Sequence, residues 1–288
     1  MKRTISGILC GRLLAADKTF IQKLQAAWRD NDSMVCVGLD PDPSRLPAHF
    51  AHRPDAIFEF CRDIVDATAD LVCAFKPQFA HFAAAGATGA LLKTIAHIRD
   101  RHPRIPVILD AKRGDIGSTA EMYAREAFDH YRADALTVNP YLGGDSLKPF
   151  TDRADRGVIV LCRTSNPGAG DLQDLLSAGT SVYEIVADLA AREWNANGNV
   201  LLVVGATYPE ELGAIRRIVG DMPLLVPGVG AQGGDVDAVM QQGRDSAGFG
   251  LIISSSRDII YAGNGPDFAQ KARGAAGQLK ANINRNRS

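Results

Sequence analysis

Eight short apolar runs recur along the chain, most of them closing on Gly, Pro, Asp, Lys or Arg: Val35–Asp40, Val72–Pro77, Val107–Lys112, Ala135–Pro140, Gly157–Arg163, Val200–Thr207, Pro223–Gly230 and Gly250–Arg257. Most are almost continuously apolar rather than alternating, the pattern of strands buried on both faces. Between them lie stretches with helical spacing: Pro54–Ala69, Ala84–Arg101, Ser118–Tyr131, Val182–Trp194, Pro209–Val219 and Asp235–Gln242, with a last one near Pro266–Lys280. Strands alternating with helices pair in parallel, and eight of them predict a closed (β/α)8 TIM barrel. An open doubly wound sheet would place a Gly-rich dinucleotide loop after an early strand, and the early strands here end in charged residues instead.

A chain of 288 residues is long enough for one such barrel. The expectation is therefore a single domain over residues 1–288, with an N-terminal extension at about 1–15 and a frayed polar tail at about 282–288. The longest connection without a clear element, 163–183, carries Asn166-Pro167-Gly168-Ala169-Gly170 and reads as either an active-end lid or a plain surface insertion.

Composition narrows the function classes. A net charge of −1 and a pI near 6.6 provide no global field toward nucleic acid or an anionic membrane, so a phosphate must be held locally. No apolar stretch approaches the ~20 residues of a membrane span. The start Met1-Lys2-Arg3 faintly suggests a signal peptide, but Arg12 interrupts the short apolar run. Cys10, Cys36, Cys61, Cys73 and Cys162 form no close pair, which fits reduced thiols in a cytoplasmic protein better than disulfides or zinc.

The chemistry gathers at the strand ends, where barrel enzymes build their sites. The first strand ends in Gly38-Leu39-Asp40, the second in Phe75-Lys76-Pro77 and the third in Leu109-Asp110-Ala111-Lys112. Residues two apart on a strand share a face, so Asp110 and Lys112 point together. A structural ion-pair cluster is the plain alternative, but buried charges are costly to keep for stability alone. On the other half of the mouth, Pro227-Gly228-Val229-Gly230-Ala231-Gln232-Gly233-Gly234-Asp235 follows the seventh strand and Ser254-Ser255-Ser256-Arg257 closes the eighth. Glycines admit backbone N–H groups close to an anion, a helix starting after Gly234 would add its positive end, and Arg257 supplies a forked donor. Strands seven and eight are where barrels commonly bind phosphate.

From Asp110 to Thr119 the chain reads D-x-K-x-x-D-I-x-x-T, and this segment resembles the orotidine 5′-phosphate decarboxylase family. The resemblance extends to Gly38-Leu39-Asp40, Phe75-Lys76-Pro77, Thr164-Ser165-Asn166-Pro167-Gly168, the Pro227–Asp235 loop and Arg257. Asp115-Ile116-Gly117 in place of Asp-Ile-Pro, with the longer chain, is similar to the family's second, bacterial branch. The resemblance implies decarboxylation of orotidine 5′-monophosphate to uridine 5′-monophosphate in de novo pyrimidine biosynthesis, without metal or other cofactor. It implies that Lys112 protonates C6, that Asp110 lies near the departing carboxylate, and that Lys76 and Asp40 contact the ribose. It further implies a homodimer in which Asp115 and Thr119 reach the partner's site. Ile116 would line the base pocket, Ser165 would hydrogen-bond the pyrimidine, and Gln232 and Arg257 would grip the phosphate, with Pro227 and Ser256 nearby.

Two alternatives remain to be distinguished. A sugar-phosphate decarboxylase or aldolase barrel shares D-x-K-x-x-D but uses magnesium, and needs a metal-binding acid where this chain has Lys76. A non-catalytic nucleotide-binding barrel is the other, and the retention of both lysines and the acids argues against it.

Overall fold

A computed structural model describes residues 18–229 and 234–287. The eight apolar runs form the strands β1 (Val35–Leu39), β2 (Ala74–Pro77), β3 (Ile108–Arg113), β4 (Ala135–Val138), β5 (Gly157–Arg163), β6 (Val200–Val204), β7 (Leu224–Pro227) and β8 (Leu251–Ser255). All pair in parallel in the order β2-β1-β8-β7-β6-β5-β4-β3. Bridges between Phe75 and Val107 and between Gln78 and Asp110 join β2 to β3 and complete the circuit. Strands β1, β4, β6 and β8 are buried at every position, which is why they read as unbroken apolar runs.

The outer layer comprises α1 (Phe20–Asp30), α2 (Ala56–Thr68), α3 (Thr88–Arg101), α4 (Gly117–Arg125), α5 (Gly144–Thr151), α6 (Val182–Arg192), α7 (Pro209–Val219), α8 (Val236–Gly243) and α9 (Phe268–Arg285), with shorter turns between. Helix α1 starts from a capping box, in which Thr19 and Gln22 satisfy each other's backbone N–H. It then lies against the N-terminal ends of the strands: Lys23 pairs with Asp134 just before β4, and the Trp28 indole N–H donates to the carbonyl of Leu251 at the start of β8. The end of the barrel opposite the charged mouth is thus covered. Buried side chains from strands and helices form one contiguous core.

The structure corrects the expected frayed tail. Helix α9 continues to Arg285, Ile283 is fully buried, Asn284 donates to Asp32, and Arg287 pairs with Asp32. One apolar anchor and several side-chain bonds therefore hold a segment whose composition is polar. The N-terminal extension at about 1–15 lies outside the described residues, as does Cys10. The other four cysteines are free and buried, and burial pushes the Cys36 and Cys162 thiols up to about 12. No helix among the described residues is long and apolar enough to cross a membrane.

Candidate active site

The C-terminal ends of the strands surround a 460 Å³ cavity. Of the residues singled out in the sequence, Asp40, Lys76, Asp110, Lys112, Ser165, Pro227, Ser256 and Arg257 line it. Its centre is the Asp110 carboxylate. One oxygen accepts from the Lys76 ammonium at 2.8 Å and from the Gln78 amide at 3.1 Å. The other accepts from the Lys112 ammonium at 2.7 Å and from the Thr137 hydroxyl at 2.9 Å.

The two lysines differ in setting. Lys76 is buried, its side chain 7% exposed, whereas that of Lys112 is 47% exposed and reaches the open space of the cavity. Burial alone would push the Lys76 ammonium down, but attraction from Asp110 and Asp40 outweighs it and holds the group well above the usual lysine range. Burial would likewise raise Asp110, and the two lysines outweigh it, so the carboxyl lies well below the usual carboxylate range. Lys76 and Asp110 are therefore both charged at neutral pH.

The backbone at Lys112 is not that of a regular strand. Its φ is +47°, uncommon for a residue with a side chain, and the pairing register between β3 and β4 shifts between Leu109 and Arg113. The Thr137 hydroxyl accepts from the backbone N–H groups of both Ala111 and Lys112 at 3.0 Å. A side-chain oxygen thus replaces the ladder bond that the bulge removes, while the same hydroxyl donates to Asp110. This fixes where Lys112 points. Thr137 was not apparent in the sequence, although a lone hydroxyl in an apolar four-residue strand is a signal. Gln78 was also missed, and its spacing of two from Lys76 already places it toward the mouth.

After β1, next to the strand that carries Lys76, Asp40 has a buried carboxylate oxygen with no hydrogen-bond partner. Two tight backbone approaches occur at the mouth: a Cβ on Gly38, beside Asp40, would lie 2.7 Å from that of Ser256, and one on Gly205 would lie 2.8 Å from the Ser165 backbone. Both glycines are therefore required by space rather than by turn geometry.

The phosphate half of the mouth is only partly as expected. Gly228 adopts φ +95°, and Gly234 returns to it through an N–H···O=C bond of 3.1 Å. Gly230, Ala231, Gln232 and Gly233 lie outside the described residues, so Gln232 is not placed. Arg257 is exposed at the rim after β8. The start of α8 is not the open positive end that was expected, because the Asp235 carboxylate itself caps it by accepting from the N–H of Asp237.

The connection 163–183 is structured. Arg163 is buried, pairs with Asp174 at 3.1 Å and stacks on Tyr208 at 3.8 Å. The Gln173 carboxamide bonds both the N–H and the hydroxyl of Thr164. Thr164, Ser165, Asn166 and Gln173 all face the cavity.

Asp115, Ile116 and Thr119 do not line the cavity of their own chain. The Asp115 carboxylate accepts from the N–H of Ile116, and no contact joins it to Lys112. Ile116 precedes α4 in an extended conformation and is 59% exposed.

Comparison with known proteins agrees with this geometry. The model of the orotidine 5′-phosphate decarboxylase / HUMPS family matches residues 33–272. The chain belongs to this family. It is 62% identical to the orotidine 5′-phosphate decarboxylase of Azoarcus sp. (strain BH72), over 92% of this chain and 98% of that one. It is 60% identical to that of Dechloromonas aromatica (strain RCB), with the same coverages of 92% and 98%. Among solved structures, the OMP decarboxylase of Leishmania donovani superposes with a TM-score of 0.82 at 39% identity, covering 93% of this chain and 99% of that one. The family description carries two names, and the high-identity relatives bear the first.

Proposed function

We infer that the chain removes carbon dioxide from C6 of orotidine 5′-monophosphate to give uridine 5′-monophosphate, a step of pyrimidine biosynthesis, and that Lys112 delivers the proton. The observation that carries the assignment of roles is the Asp110 carboxylate held between two ammoniums, one buried and one open to the cavity.

When the C6–carboxylate bond breaks, its electron pair stays on C6 in the ring plane, where the pyrimidine cannot delocalise it. Stabilisation must then come from charges already in place. Lys112 supplies a positive charge at that position and its proton forms the new C6–H bond, leaving a neutral amine that solvent reprotonates. Asp110 orients Lys112, and Lys76 and Thr137 keep Asp110 ionised and fixed. The unpartnered oxygen of Asp40 suits a ribose hydroxyl. Ser165, on the loop after β5, faces the base, while Pro227, Gln232, Ser256 and Arg257 form the phosphate side. Binding of the remote phosphate is the energy source for closure of the Arg163–Asp171 and Pro227–Asp235 loops over the substrate.

We also infer a homodimer in which Asp115 and Thr119 complete the partner's site and Ile116 lines its base pocket. The exposure of Ile116, Met122, Tyr141 and Leu142 on the loops and helix after β3 and β4 supports an apolar partner surface there. Four buried free thiols fit a reducing, cytoplasmic location.

The test is ultraviolet absorbance on adding orotidine 5′-monophosphate, run beside hexulose and keto-acid sugar phosphates with magnesium. Loss of the orotate chromophore is expected with the nucleotide alone. Turnover confined to the sugar phosphates, or binding without turnover, would overturn the assignment.

A further inference from the structure

Away from the mouth, Asp66 on α2 faces two histidines contributed by the end of α3. The Nε2 atoms of His97 and His102 each lie 2.7 Å from the same Asp66 carboxylate oxygen, and the three potential ligand atoms lie within 4.8 Å of one another. We propose that Asp66, His97 and His102 form a zinc-class divalent transition-metal site that clamps α2 to α3 on the outer face of the barrel.

The local sequence explains how these side chains meet. Residues five apart on a continuous α-helix point well away from each other, by about 140°. Here α3 stops at Arg101, and His102 takes φ −129° and ψ 54° as its C-cap. Pro103 follows, and the residue before a proline is displaced from the helical region. His102 therefore leaves the helical path and its ring returns beside that of His97, with ring centroids 6.0 Å apart.

Two imidazoles and one carboxylate are a ligand set that zinc and its neighbours favour over magnesium or calcium, which take mainly oxygen ligands. Ligand atoms around tetrahedral zinc are ~3.3 Å apart, so each imidazole would move back by roughly 0.6 Å. That is a small rotamer adjustment for rings whose side chains are 15% and 23% exposed. Among the described residues the ion-pair partners of the Asp66 carboxylate are the two imidazoles, and no Lys or Arg nitrogen lies within ion-pair distance of it. A 260 Å³ cavity lined by Asp66, His102, Asp30 and Asp70 opens beside the cluster, with Arg101 and Arg104 on its wall. It leaves room for water or an exogenous anion at the remaining coordination positions. The chemistry resembles that of an open site, but its location at the N-terminal end of the barrel separates it from the reacting groups.

Calorimetric titration of the chelator-stripped full-length protein with zinc chloride tests this, with His97→Gln, His102→Gln and Asp66→Asn in parallel. One zinc per chain is expected, with affinity at least about 100-fold weaker in each variant, since losing a direct ligand exceeds the 10–100-fold cost of losing a supporting one. Zinc should raise the thermal midpoint of the parent protein and not of the variants, and decarboxylation should be the same in all four. Absence of zinc binding would mean that the cluster is only a hydrogen-bonded link. Binding that persists undiminished in the His97→Gln, His102→Gln double variant would place the metal elsewhere. Either outcome overturns the proposal.

Discussion

Replacing Asp110 with Asn removes one charge and little volume from the centre of the mouth, and the structure indicates how the cost divides. Asp110 and Lys76 have side chains only 8% and 7% exposed, so Lys76 cannot turn to water when its partner is neutralised. Breaking a buried pair by removing one member costs about 3–5 kcal/mol. Lys112 is 47% exposed and recovers hydration, so its loss adds ~1 kcal/mol or less. Asp40 still attracts Lys76 and the amide retains one acceptor, which places the total near the lower end, about 3 kcal/mol. With a urea dependence of ~3 kcal/mol/M, the unfolding midpoint should fall by about 1 M. Asp110 has a lowered folded-state pKa, so its contribution is present above the ordinary carboxylate value and is lost as pH falls through the folded one. Lys76 has a raised one, so its contribution is complete below the ordinary lysine value. Both are therefore fully present at pH 7, and the stability gap between parent and variant should narrow in acid, below about pH 4, and again in alkali above the ordinary lysine value. Urea unfolding followed by circular dichroism, at pH 7 and in acid, measures this. A variant with an unchanged midpoint at pH 7 would refute the claim that Asp110 is what makes a buried Lys76 tolerable.

Other outcomes follow from the same geometry. Arg257→Ala should weaken turnover of the nucleotide by about 1.5–3 kcal/mol, with some addition from incomplete closure, and leave the unphosphorylated nucleoside almost unaffected; equal losses in kcat/KM for both substrates would place Arg257 in the fold or the reaction centre instead. If Asp115 serves the partner's site, Lys112→Ala and Asp115→Ala chains co-refolded in equal amounts should regain about a quarter of parent activity, because half the dimers then hold one intact site; no recovery would confine Asp115 to its own subunit. Prolonged chelation should leave decarboxylation intact even where it lowers the thermal midpoint, and activity restored only by added magnesium or zinc would contradict the charge-based mechanism.

The barrel was legible because strands buried on both faces read as nearly continuous apolar runs, interrupted chiefly where β2, β3, β5 and β8 carry Lys76, Asp110, Arg163 and Ser254 toward the mouth. Helix α1 carries an equally clear stripe in Phe20, Leu24, Ala27 and Trp28, but it precedes the first strand, where the alternating pattern makes no demand for it. Helix α5 was hidden by Gly143, Gly144 and Pro149, residues that ordinarily end helices. At the site, strand alternation placed Asp110 and Lys112 together, while the bulge and positive φ that aim Lys112 depend on Thr137 from the neighbouring strand, a tertiary contact with no local signature. The capped start of α8 shows the reverse case. Asp235 reads as part of a phosphate loop, yet its carboxylate serves as the N-cap of α8, accepting from the N–H of Asp237. The tail failed as an expectation because composition does not register a single buried side chain such as Ile283.

The central claim is that Lys112 supplies the charge and the proton at C6. The direct measurement is decarboxylation by Lys112→Ala, read as absorbance loss with orotidine 5′-monophosphate, beside calorimetric binding of uridine 5′-monophosphate to the same variant. General-acid and preorganised electrostatic contributions are each worth about 10²–10³-fold or more, so turnover should fall by at least about 10⁴-fold while the product still binds. A variant that binds the product and retains turnover within tenfold of the parent would contradict the account.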